Sequence, residues 1–143
     1  HEPPYASELM GAQSTGPVTG GADWICRKPD HWVFDGTEMS MGDAIPGLVG
    51  WEWHGDPEDI KGLEILTSGK TQSAPGILNG GEYTSTIYQA PKGNWVFNAA
   101  TIWWGDGLSE PPGYVRPSVY TSPEGPDTRL QRITRNLFDR MKS

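Results

Sequence analysis

Glycine and proline interrupt this chain at short intervals up to Asp127. That punctuation restricts it to short extended elements joined by turns and loops. The 19 glycines and 13 prolines among 143 residues exceed ordinary usage. Aliphatic residues are sparse, so a core must come from elsewhere. Seven tryptophans and five tyrosines supply it, since each aromatic side chain buries on the order of 150–250 Å². The length suits a single unit, residues 1–143, with no interdomain linker and no internal repeat.

Charge and cysteine usage exclude several classes. The formal net charge of −7 lacks the basic footprint of a general nucleic-acid binder. It also lacks the polybasic cluster of a membrane-surface anchor. No apolar stretch approaches the roughly 20 residues that span a bilayer, and no secretory signal opens the chain. Cys26 is the single cysteine, which excludes an internal disulfide framework and makes a reduced, cytoplasmic setting the expectation. The chain opens on His1 rather than Met, so a trimmed or cleaved piece of a longer protein is expected.

Hydrophobic periodicity places the elements. Residues 9–13 read as a short strand or helical turn, and residues 14–22 as loop. Two short apolar runs, 24–26 and 31–34, flank Lys28-Pro29-Asp30 and predict two strands around a turn. In residues 49–54, Val49, Trp51 and Trp53 alternate with Gly50, Glu52 and His54, predicting a strand with the apolar side chains on one face. Residues 63–67 and Glu82–Gln89 have strand character. Residues 95–101 predict a fully buried strand, and residues 103–114 a Gly/Pro-rich loop with exposed-type aromatics. Residues 127–143 form a terminal amphipathic helix, with Asp127 or Thr128 as cap. Its apolar face carries Leu130, Ile133, Leu137 and Met141, with Phe138 beside them.

Glu52 and His54 are the sharpest chemical pair. Two residues apart on a strand, a carboxylate and an imidazole face the same way and can act as base and orienter. Flanking Trp51 and Trp53 lower the local dielectric, which favours a general base. Metal spacing is absent: no HExxH, HxH or CxxC occurs, and His1 and His31 lie far from His54 in sequence. Cys26, beside Arg27 and Lys28, allows a thiolate to be written down, but a buried structural cysteine fits its strand context better. The Trp103–Trp104 pair and the remaining tryptophans also suit a non-catalytic, aromatic-rich module for carbohydrate or subunit assembly. Asn98, inside an apolar run, needs hydrogen-bond partners and is a structural clamp or a site residue.

Several long segments, in order, carry a resemblance. LMGA (9–12), GGADWICRKPDHWVFDGT (20–37), GDAIPGLVGWEWHGDP (42–57), VFNAATIWWGDGLSEPPGY (96–114) and QRITRNLFDR (131–140) together resemble the C-terminal region of the large (beta) subunit of the N,N-dimethylformamidase family. The resemblance implies an α/β fold, this chain being the strand- and loop-rich C-terminal part of a glutamine-amidotransferase-like domain that closes with one helix. It implies an amide hydrolase acting on small formamides, giving formate and an amine. It implies iron in the complete enzyme, held by two tyrosines and a glutamate outside this chain; no motif matches them to Tyr5, Tyr83 or Tyr88. Partners would be the rest of the large subunit and a small subunit in an oligomer. Glu52 matches the catalytic base, with His54 holding or relaying its proton. Trp51, Trp53, Asn98, Trp103 and Trp104 would line the substrate pocket.

Overall fold

The computed structural model describes residues 5–115 and 125–143. Its architecture is mixed and strand-rich, with antiparallel sheets and one long C-terminal helix. A short helix α1 (Ala6–Met10) leads into β1 (Ala12–Ile25), which pairs antiparallel with β2 (Ala44–Pro57). A second sheet has the order β3 (Glu64–Lys70), β4 (Glu82–Gln89), β5 (Trp95–Asn98), again antiparallel. Helix α2 (Thr128–Lys142) closes the structure. Among the described residues no helix is long and apolar enough to cross a membrane.

Strand β4 is the centre of its sheet. Its aromatic and β-branched residues suit a pleated surface, and Tyr83 through Tyr88 are buried on both faces. Tyr83 ties this sheet to the other one. Its hydroxyl accepts from the Ile25 amide at 2.8 Å and donates to the Asp23 carbonyl at 2.6 Å. A bridge between Cys26 and Thr67 and a 2.5 Å bond from Thr84 Oγ1 to the Gly55 carbonyl reinforce that seam.

Helix α2 forms where glycine and proline cease. Asp127 caps it by accepting from the Arg129 amide. Leu130, Ile133 and Leu137 are buried, each contributing roughly 1.5–3 kcal/mol. Asn136 donates to the Val33 and Asp35 carbonyls and fixes the docking. Met141 and Phe138, expected on the buried face, are exposed, because the packed stripe ends at Leu137.

Four other expectations are corrected. Residues 14–22 are not loop: they lie within β1, where register shifts absorb the glycine-rich stretch. Residues 31–34 are not a strand. Residues Trp32–Phe34 form a 3₁₀ turn, because the His31 ring accepts from the Val33 amide and caps it. Strand β5 stops at Asn98 and is mostly half-buried, since Ala100 adopts a left-handed φ of 65°. Trp103 is buried, although its loop reads as exposed.

Candidate active site on strand β2

The β1–β2 ladder is irregular where the candidate residues lie, the extra residues standing on β1. Thr15 stands opposite Trp53 and Val18 opposite Trp51, so two residues of β1 face Glu52. A further register shift follows between Val18 and Gly21. Between these irregularities Trp51 has a φ of 59°. A left-handed backbone at a bulky residue costs on the order of 1–3 kcal/mol and persists only when its surroundings impose it.

The surroundings are visible. A Cβ on Gly50 would lie 2.4 Å from both the Gly20 carbonyl oxygen and the Trp103 ring, so only glycine fits there. On the other side, Trp53 is buried and packs against Gly55 and Gly81. Held at both neighbours, the chain turns Trp51 outward. Trp51 is 42 % exposed, whereas alternation would have sent it inward with Val49 and Trp53. Trp51 and Glu52 are therefore exposed in succession. Strain and bulges of this kind concentrate at functional sites.

His54 lies half-buried two residues on. The Asn98 side-chain nitrogen approaches its Nδ1 at 2.5 Å and also donates to the Met10 carbonyl at 3.1 Å. The Asn98 oxygen accepts from the Ala100 amide at 2.9 Å, which fixes the orientation of the amide group. An amide nitrogen only donates, so Nδ1 of His54 is the acceptor. The proton of the neutral ring then sits on Nε2. Burial is the main cause that lowers the His54 pKa, with the Glu52 carboxylate acting in the opposite sense. His54 is a neutral imidazole near pH 7.

The structure thus gathers Trp51, Glu52, Trp53, His54, Asn98 and Trp103 around one stretch of β2. Trp104 lies elsewhere: its indole nitrogen donates to Thr134 of α2, and its ring packs against Trp24 and Phe97. Sequence reasoning passed over Gly50 and Ala100. The signal for Gly50 was a glycine between two large residues; Ala100 carried none. Of the seven tryptophans only Trp51 is widely exposed, which leaves little open indole surface for carbohydrate.

No three His, Cys, Asp or Glu side chains among the described residues gather closely enough to hold a metal ion. Tyr83 is committed to two backbone groups, and burial pushes its hydroxyl pKa up, opposite to the need of a tyrosinate ligand. Tyr88 donates to the Leu9 carbonyl at 2.6 Å. Cys26 is fully buried, and burial raises its thiol pKa, so it is no thiolate nucleophile.

An exposed carboxylate two residues from a neutral, oriented imidazole on a strained strand can serve general acid–base chemistry. The chain is a member of the N,N-dimethylformamidase beta subunit-like, C-terminal family, whose sequence model matches residues 1–118. The family name relates the chain to a dimethylformamidase subunit, and α2 lies beyond the matched part. No curated protein and no solved structure matches the chain.

Proposed function

We propose that this chain is the C-terminal part of the large subunit of an amide hydrolase acting on small formamides, with Glu52 as general base. In this reading water adds to the formyl carbon while Glu52 takes its proton. The same carboxyl then delivers that proton to the departing amine nitrogen, leaving formate and the free amine. His54, whose Nδ1 is held by Asn98, keeps its proton on Nε2 and would serve as the supporting donor. The observation that carries the reading is an exposed Glu52 two residues from a neutral, Asn98-held His54 on β2 of a dimethylformamidase-related chain.

The complete enzyme would carry iron on upstream ligands. The upstream part of the subunit would complete a glutamine-amidotransferase-like α/β domain and, with a small subunit, the oligomer. The test is the full enzyme containing Glu52→Gln, assayed for formate release from N,N-dimethylformamide. The expected loss in kcat is on the order of 10²–10⁴-fold with iron content unchanged. A rate equal to wild type would overturn the assignment.

A further inference from the structure

We propose that Trp51 is the specificity-determining residue of this site, its indole forming the apolar wall against which the N-alkyl groups of a substituted amide rest. The inference rests on the reading of Glu52 as the base for an amide substrate. It starts from an anomaly that the base alone does not need. A strand in ordinary alternation would expose Glu52 and bury Trp51, yet both are exposed.

The exposure is enforced. Gly50 is wedged between the Gly20 carbonyl and the Trp103 ring, and Trp53 is locked beneath Gly55 and Gly81. Between these fixed points Trp51 keeps a left-handed backbone that an L side chain rarely adopts. A buried indole is thereby traded for one that stands beside the proposed base. A large apolar ring held out against both strain and solvent fits a surface that something apolar covers.

The chemistry of the substrate class says what covers it. An N,N-dialkyl formamide presents one carbonyl acceptor for polar groups. Its nitrogen carries no hydrogen, only alkyl groups, and these gain nothing from Glu52 or His54. An indole edge supplies the apolar contact they need. Unsubstituted formamide offers N–H groups instead and gains little from that wall.

The test compares the full wild-type enzyme with Trp51→Gly and Trp51→Phe, each assayed on N,N-dimethylformamide and on formamide. Glycine accepts the left-handed backbone, so the first variant relieves strain while removing the wall. The expected result is a loss of roughly 10–100-fold in kcat/KM for the dimethyl substrate, carried in KM, with a much smaller loss on formamide, so that the ratio of the two substrates moves. Phenylalanine should restore most of the preference. A thermal melt of Trp51→Gly no lower than wild type excludes a folding defect. Equal losses on both substrates, or no loss on either, overturn the proposal. Glu52→Gln separates the two ideas: retained rates on both substrates sink the base assignment, while the substrate ratio of Trp51→Gly still decides the wall.

Discussion

The side-chain amide of Asn98 stands 2.5 Å from Nδ1 of His54 and binds the carbonyl of Met10 with the same nitrogen. One side chain thus connects the end of α1, the end of β5 and the imidazole of β2. Replacing Asn98 by alanine leaves the His54, Met10 and Ala100 groups without this partner. A loss of about 1–3 kcal/mol is expected in denaturant titration of the enzyme. Asn98→Asp has a different signature. A carboxylate beside Nδ1 favours the imidazolium, so the His54 titration observed by NMR should move upward. An unmoved titration would show that the two groups do not meet in solution.

Acid should weaken the fold in a defined window. His31 and His54 both have pKa values lowered in the folded chain, chiefly by burial, with Glu64 opposing the shift at His31 and Glu52 at His54. The unfolded chain therefore binds more protons as the medium becomes acidic. The stabilisation is complete above the ordinary imidazole pKa of about 6.5 and is lost as pH falls through the lowered values. Glu64, whose carboxyl is lowered mainly by its bond with Lys28, holds its contribution to more acidic pH and loses it below the usual carboxylate range. Urea midpoints should fall between about pH 7 and about pH 5, and His31→Gln should flatten that slope. A midpoint independent of pH in this interval would contradict the burial of both rings.

Gly50→Ala tests the wedge that shapes the site. The added methyl meets a backbone carbonyl and a buried indole at 2.4 Å, neither of which is a flexible side-chain end. Overpacking of this sort costs typically about 1–3 kcal/mol, and activity should fall with stability. A variant as stable as the parent would mean that Trp103 can move away.

Cys26 should behave as an inert core residue. It is 0 % exposed, and its thiol pKa is raised by burial. Alkylating reagent should leave hydrolysis untouched and should modify the thiol only after denaturation. Rapid inactivation by the reagent at neutral pH would reinstate the thiol as a nucleophile.

The readable parts of the sequence were those where local preference and tertiary context agree. Glu82–Gln89 is dense in β-branched and aromatic residues and has the expected bounds, and Thr128–Lys142, free of glycine and proline behind an Asp cap, falls one residue inside each end of the expected helix. The pairing of Glu52 and His54 on one strand was also legible, because it follows from spacing alone. The outward turn of Trp51 was not, since it contradicts the local preference of tryptophan and depends on Gly20 and Trp103, about 30 and 50 residues away in the chain. The turn at Trp32–Phe34 was hidden for a related reason: a ring nitrogen of His31 competes with the ladder for the Val33 amide.

The bonds that surround the site join distant parts of the chain. Asn98 reaches back 88 residues to Met10, Tyr88 reaches 79 residues to Leu9, and Trp24 reaches forward 75 residues to Ala99. Each of these closures loses chain entropy before it returns any contact energy. The geometry around Glu52 is therefore expected to form late in folding, after the hairpin of β3 and β4. Sequence changes at Asn98 or Gly50 should chiefly hasten unfolding and leave the folding rate nearly untouched, which makes the lifetime of the active arrangement, more than its rate of formation, the quantity that selection can tune there.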